Sequence, residues 1–479
     1  MENSPNPSSA NVLFLRLAPF LNFEQHHPQD VMPSLPIAYA ATRLQAQGHR
    51  VEIIDTWAEP LAYDALLEQL QAASFDIFVI DAVTPVIESA LRILADIRER
   101  KSFFSVAIGQ HASALPETVL GVSGGFDVCV SGEIEETLPE LVAAVQQEAS
   151  LKDVSGLVLP FDDGVKRTEE RPFLENLDDL PPVDWSLIGL EKYRIHSVAI
   201  PSVKKLKWGF LLAGRGCPYR CIYCSSTLRQ SYGSKIRMHS PQRVADDMQR
   251  LMYLGLNTLF FEDDTFSFDK NWVLALCDEI RSRNIKVNWA VQTRADCMDE
   301  ELALNMRAAG CRAVTMGIES GDERILMLLK KGETKEQMRK AVTALKKAGL
   351  VTTLFFMLGN PTESDEDIKA TYEFMRELAP FMIQVAFFTP YPGSAYYDET
   401  RPDTDFSRLS HYNDLPYNAS NVSDEKLLEW QKRFYRSHYL SPRFALNYLR
   451  YRAPGMLFNP SERKLLIDAT AYVLRLGKK

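Results

Sequence analysis

Between residues 11 and 147 the chain repeats one pattern: a short run that is apolar at nearly every position, then an amphipathic stretch of helical period. The apolar runs are "NVLFLRL", "VEIID", "DIFVID", "FSVAIG" and "DVCVSG"; helical stretches near 36–47, 61–72 and 86–99 lie between them, and "EIEETLPELVAAVQQ" follows the last. A strand that is apolar on both sides must be covered on both sides, and a parallel sheet with crossover helices does this. The pattern therefore dictates a doubly wound, Rossmann-like α/β domain over 11–147. Ligands of such sheets sit at the carboxyl ends of the strands, which brings the loops after Leu17, Asp81, Gly109 and Gly132 into view.

From 148 to 205 the pattern breaks into short strands such as "SGLVLP" and a proline-containing connecting segment. Residues 206–394 resume strand and helix on a larger scale. The strand candidates are "WGFLLAG", "TLFFEDD", "VNWAVQT", "AVTMGIE", "TTLFFMLG" and "IQVAFFTP". Ser240 and Thr334 stand where N-caps belong, and Gly310 and Gly349 where helices end. Six βα units predict a partial (β/α)6 barrel, with its chemistry on loops at the strand C-terminal ends. The tail, 395–479, reads as a helical C-terminal extension whose Arg and Lys lie on a solvated face over the barrel mouth. The first ten residues, "MENSPNPSSA", are polar and proline-rich and read as a disordered lead-in without a secretory signal.

A chain of 479 residues is too long for one ordinary core, in keeping with two α/β units. No apolar run approaches the roughly 18 residues of a membrane span, so no integral membrane segment is expected. The net charge of −9 speaks against a nucleic-acid footprint and favours a small-molecule partner. Seven cysteines is an odd number, and Cys129, Cys277, Cys297 and Cys311 are scattered singly; reduced thiols in the cytoplasm fit better than a disulfide framework.

The other three cysteines share one loop. "GRGCPYRCIYCSS" places Cys217, Cys221 and Cys224 directly after the first barrel strand, where a site is expected. Thiolates are soft ligands that suit zinc or an iron–sulfur cluster. Structural zinc wants four protein ligands, and the nearest fourth is His239. Three ligands on a cubane of four irons leave one iron without a protein partner, and so point to chemistry at that iron.

With Tyr223 as the aromatic residue before its third cysteine, the motif resembles that of radical S-adenosylmethionine (SAM) enzymes. The resemblance implies a [4Fe-4S] cluster on Cys217, Cys221 and Cys224, and reductive cleavage of SAM to a 5′-deoxyadenosyl radical. It extends along the barrel. "FFEDDTF" offers Glu262, Asp263 and Asp264 to the SAM amino group, and "QTRAD" offers Arg294 to its carboxylate. "MGIESG" supplies Glu319 and Ser320 near the ribose; "FMLGNPTE", with Gly359 and Glu363, matches the segment along the adenine, which Tyr223 would touch. Taken singly, each acid has a structural alternative, such as capping the next helix. In the family order, at successive strand ends, they imply a SAM site.

The first domain resembles the cobalamin-binding domain of the cobalamin-dependent radical SAM subclass, through "LPIAYAATRLQAQGHRVEIID", "GQHASALPE", "SGEIEE" and "LDDLPPVDWSLI". That resemblance implies cobalamin at the strand ends, with Asp81, Thr84, Gly109 and Gly132 as contacts. The chain departs from the pattern in four ways. No Asp-x-His-x-x-Gly motif marks a lower cobalt ligand, and His26 and His27 carry no signature. Asp81 stands where relatives often have serine. Ile108 precedes Gly109 where they often have a glycine pair, and Ile134 interrupts the usual Gly-Glu-Gly-Glu run. Branched side chains at two such places are expected to crowd a macrocycle, which leaves a cobalamin-loaded domain and a retained, empty one as alternatives.

Three functions follow as expectations. The first is a cobalamin-dependent radical SAM methyltransferase acting on an unactivated centre of a small biosynthetic intermediate, reduced by an external donor such as flavodoxin or ferredoxin. The second is a radical SAM cyclisation or rearrangement enzyme that leaves cobalamin unused. The third, of another class, is a non-catalytic iron–sulfur or zinc protein.

Overall fold

The computed structural model describes residues 9–18, 30–195, 198, 200, 205–224, 232–410 and 415–449. Residues 1–8 of the expected lead-in, His26, His27 and the chain beyond 449 lie outside them.

The first sheet contains β1 (Asn11–Arg16), β2 (Arg50–Asp55), β3 (Ile77–Asp81), β4 (Phe104–Ile108), β5 (Val128–Val130), β6 (Leu157–Phe161) and β7 (Gly164–Arg167) in the order β2-β1-β3-β4-β5-β6-β7. Its first five strands are parallel. Side-chain alternation divides β1 between two cores: Leu13 and Leu15 pack on one face of the sheet, Val12 and Phe14 on the other. Both faces are thus apolar and both are covered, as the sequence requires. The β6–β7 hairpin joins the sheet antiparallel, so part of the segment between the two α/β units extends the first sheet.

The second sheet holds β8 (Trp208–Leu211), β11 (Thr258–Phe261), β12 (Asn288–Thr293), β13 (Cys311–Glu319), β14 (Val351–Leu358) and β15 (Met382–Phe387), all parallel and in linear order. β8 and β15 are its two edges, so the barrel is partial. Two-residue strands β9 (Gly214–Arg215) and β10 (Arg237–Met238) pair antiparallel at the base of the cysteine loop. The helix caps stand where expected. Ser240 accepts from Arg243 N at 3.2 Å, Thr334 forms a capping box with Gln337, and Gly310 and Gly349 take φ of 104° and 72°.

The tail follows expectation in part: Tyr396 bonds to the cysteine loop, and Ala419 and Asn421 bond to the turn after β14, at the strand C-terminal ends. Its helix Asp424–Tyr439 lies along the open edge of the sheet instead of over the barrel mouth. Gln431, Tyr435 and Tyr439, spaced four apart, present one polar row to β15. The Tyr435 hydroxyl accepts from Val385 N at 3.0 Å, the Tyr439 hydroxyl accepts from Ile383 N at 3.1 Å, and Gln431 Nε2 donates to Val385 O at 2.9 Å. An edge strand leaves backbone groups unpaired, and here side chains satisfy them.

Strand ends of the two domains face one another. Arg16, at the end of β1, lies within electrostatic reach of Glu262 beyond β11, and Tyr193 of the linking segment donates to Asp55 at 2.9 Å.

Candidate functional site

The cysteine loop is anchored on all sides. Cys217 N donates to Gly233 O at 3.3 Å, Ile222 N to Leu329 O at 3.1 Å, and Tyr396 N to Ile222 O at 3.1 Å. All three thiols are free and only partly exposed. Burial first, then Asp264 and the other two cysteines, push the Cys224 thiol well up, so the three sulfurs and Asp264 share one small space. Among the described residues no three His, Cys, Asp or Glu side chains are grouped to hold a single metal ion. His239 is turned to Asp178 at 3.0 Å. With His239 held by Asp178, the three soft thiolates offer the donor chemistry of an iron–sulfur cluster with one iron left open.

Beneath the loop runs a buried chain of charges, part of which the sequence reading missed. The Tyr223 hydroxyl donates to Glu319 Oε1 at 3.2 Å, and Lys331 Nζ lies 3.5 Å from the same oxygen and 3.2 Å from Glu333 Oε2. Glu333 accepts from Ala295 N and Asp296 N at 2.6 and 3.1 Å and lies 3.7 Å from Arg294. Glu319 has φ +64°, a strained backbone for a residue with a side chain, and Gly317 makes room for it: a Cβ there would fall 2.2 Å from Glu319 Oε1. Lys331 lies within electrostatic reach of Cys221 and Cys224, its pKa lowered by burial but raised overall by Glu319, Glu333 and Cys221. Arg294 is already engaged. It forms two 2.9 Å bonds to Asp296, donates to Lys331 O and stacks 3.5 Å over the Tyr219 ring. Lys331 and Glu333 escaped the sequence reading because "KKGETKE" looks like an exposed, charged helix start; only the fold buries it.

The acidic run divides its labour. Asp263 accepts from Ala213 N at 2.9 Å and holds the backbone that leads from β8 into the loop. Asp264 faces the thiols, while Glu262, whose buried Oε1 has no partner among the described residues, looks toward Arg16 and the first domain. Burial raises all three carboxyls, to about 8 for Glu262, about 7 for Asp263 and about 8 for Asp264.

Three further expected residues serve the framework. Ser320 is fully buried, its hydroxyl 3.0 Å from that of Thr371 and accepting from Asp322 N. Glu363 is likewise buried and accepts from Gly359 N at 2.7 Å and Asn360 N at 3.1 Å, folding the turn after β14 around itself. Gly359 needs its left-handed backbone, φ +77°, for that turn.

In the first domain, Gly109 takes φ +96°, and a Cβ there would fall 2.3 Å from Asp81 Oδ1. Asp81 is raised to about 6 by burial, opposed by Arg16 at 3.9 Å. Thr84 is 3.3 Å from His111 Nδ1, whose Nε2 is 2.8 Å from Thr118 Oγ1; burial lowers His111 to about 4, so it is a neutral, fully committed imidazole. Gly132, φ +88°, turns the chain into Glu133. Ile108 and Ile134, expected to crowd the strand ends, are 2% and 6% exposed and point into the core between the sheet and helix 134–146. At those ends Asp81 fills the space beside Gly109 and faces Arg16, a polar rim whose chemistry suits the amide periphery of a corrinoid.

The profile of the B12 binding domain matches residues 26–142, and that of the Radical SAM superfamily matches 211–375. An uncharacterised methyltransferase of Pyrococcus horikoshii is 29% identical over 442 residues, covering 91% of this chain and 93% of its own. An anaerobic magnesium-protoporphyrin IX monomethyl ester cyclase of Rubrivivax gelatinosus is 29% identical over 425 residues, 86% of this chain and 74% of its own. Among solved structures, the radical S-adenosylmethionine methyltransferase TsrM from Kitasatospora setae aligns with a TM-score of 0.65 at 21% identity, over 82% of this chain and 75% of that one. OxsB, a cobalamin-dependent S-adenosylmethionine radical enzyme, aligns with a TM-score of 0.65 at 17% identity, over 89% and 62%. The reading as a non-catalytic metal protein falls with these matches. The chain is a radical SAM enzyme that carries a B12-binding domain ahead of its radical SAM domain.

Proposed function

We propose that this enzyme is a cobalamin-dependent radical SAM methyltransferase acting on an unactivated centre of a small biosynthetic intermediate. The observation that supports the reading is that Arg16, at the end of β1, lies within electrostatic reach of Glu262, beyond β11, so strand ends of the two domains face each other. When bound, a [4Fe-4S] cluster on Cys217, Cys221 and Cys224 supplies the electron that cleaves SAM, and cobalamin at the first-domain strand ends supplies the methyl group. Asp264, beside the thiols, receives the SAM amino group, and Lys331 faces its carboxylate. Tyr223, fixed by Glu319, lies along the adenine. Phe387 and Phe388, at 2% and 0% exposure, help keep water from the radical. Glu262, turned toward the first domain, faces the substrate side.

An external flavodoxin- or ferredoxin-type donor provides the electron, since the other four cysteines are scattered. Seven free thiols favour the cytoplasm; among the described residues no helix is long and apolar enough to cross a membrane.

Anaerobic reconstitution with methylcobalamin, followed by desalting, tests the proposal. Retained cobalt absorbance, together with both 5′-deoxyadenosine and S-adenosylhomocysteine on turnover, is expected; protein that keeps no cobalt absorbance sinks it. The cyclase named among the relatives favours a second reading, ring closure without methyl transfer, whose signature is 5′-deoxyadenosine without S-adenosylhomocysteine.

A further inference from the structure

The cysteine loop leaves and re-enters the barrel through one narrow neck. β9 and β10 are two residues long, and their register sets Arg215 opposite Arg237. Two arginines side by side repel, and both are buried, with side-chain exposures of 0% and 5%. Their counter-ions come from the other domain. Glu133 and Glu135, 3% and 0% exposed, stand at the start of helix 134–146, just after Gly132. Arg215 Nη1 donates to Glu133 Oε1 at 3.0 Å, and Nη2 donates to Glu135 Oε1 at 2.5 Å. Arg237 Nη1 donates to Glu133 Oε2 at 3.1 Å, and its Nη2 lies 3.0 Å from Glu133 Oε1.

The knot reaches further. Glu133 Oε2 accepts from Leu174 N at 2.7 Å, and Arg237 Nη2 donates to Tyr232 O at 2.8 Å, at the far end of the cysteine loop. The rings of Tyr39, from the first domain, and Tyr232 flank the Arg215 guanidinium at 5.6 and 4.9 Å. Two residue pairs of antiparallel strand cannot hold a neck by themselves. Its closure is nevertheless tight: Gly216, between Arg215 and Cys217, has φ +95°, and a Cβ there would fall 2.3 Å from Lys235 O.

Buried ion pairs contribute little net stability over apolar replacements, but losing one partner is costly, so what they best confer is a single arrangement. Glu135 Oε2 and Arg215 Nε find no partner among the described residues, but the bonds that the four charges do make hold in only one placement of neck against helix. We infer that Glu133 and Glu135 are positioning residues for the cluster loop, so that the first domain, through these two carboxylates, sets where the three thiols stand. The inference rests on the proposed function only for what is finally bound on each side. A shift of the Gly132 turn, at the B12-type strand ends, is passed to Cys217 through this one charged contact.

Hydrogen exchange on the full chain without cofactors tests it in wild type, Glu135→Gln and Arg215→Lys. Arg215→Lys keeps the charge but loses the fork, and it serves should Glu135→Gln fail to fold. Amides of 214–217 and 235–238 are expected to exchange faster by roughly an order of magnitude or more, with β3 and β13 unchanged. After reconstitution, the EPR spectrum of the reduced cluster is expected to broaden at unchanged iron content. Neck exchange at wild-type rates, acceleration spread equally to β3 and β13, or an EPR spectrum identical to wild type overturns the inference. The exchange measurement needs no cofactor, so its result stands apart from whether the enzyme transfers a methyl group.

Discussion

Glu319 and Lys331 show how much of the site depends on single buried charges. A glutamate held at φ +64° between a tyrosine hydroxyl and a buried ammonium is an arrangement the surroundings must enforce. Lys331→Met strips the ammonium from Glu319 and leaves Glu333 with Arg294 at 3.7 Å. Removing one partner of a buried pair costs about 3–5 kcal/mol, so urea unfolding of the variant is expected to shift by that order, with a raised KM for SAM. The acidic run gives a pH dependence. Glu262, Asp263 and Asp264 are raised to about 8, 7 and 8, so up to those values the folded chain holds protons that the unfolded chain has released. Their contribution to stability therefore falls as pH rises. His111, His239 and His438, lowered to about 4 by burial, act oppositely, but only below their unfolded value near 6.5. The melting temperature of the cofactor-free chain is thus expected to fall between pH 6.5 and 8, less steeply in Glu262→Gln; a rise across that window contradicts the assignment.

At the scale of elements, the C-terminal helix has a job that its composition disguised. "KLLEWQKRFYRSHYL" reads as amphipathic with a basic face, yet the row that matters is Gln431, Tyr435 and Tyr439, which pairs the free edge of β15. Tyr439→Phe leaves Ile383 N and O without partners and is expected to cost about 1–3 kcal/mol in urea unfolding. An exposed tyrosine would cost almost nothing. The caps at Ser240 and Thr334 were legible in the sequence because capping is local, decided by residues three apart. The edge pairing was not, since it joins residues about fifty apart through a geometry that no local pattern encodes.

For the molecule as a whole, the two domains share a charged seam, and binding in one should be felt as stability. A ligand at 100 times its Kd stabilises the folded state by about 2.7 kcal/mol, so excess hydroxocobalamin is expected to raise the melting temperature of the chain; an unchanged melting curve argues for an empty domain. The sequence alone determined both α/β units, the six barrel strands and the three-thiol loop, because doubly apolar strands, helical periodicity and ligand spacing are properties of neighbouring residues. Tertiary structure decided the rest. It turned Ile108 and Ile134 into the core, committed Arg294 to Asp296, Ser320 to Thr371 and Glu363 to its own turn, and buried Lys331 and Glu333 under the thiols. Which way a side chain faces at a strand end, and which distant charge meets it there, is set by packing between elements far apart in the chain, and so Glu133 and Arg215 became partners only when the domains met.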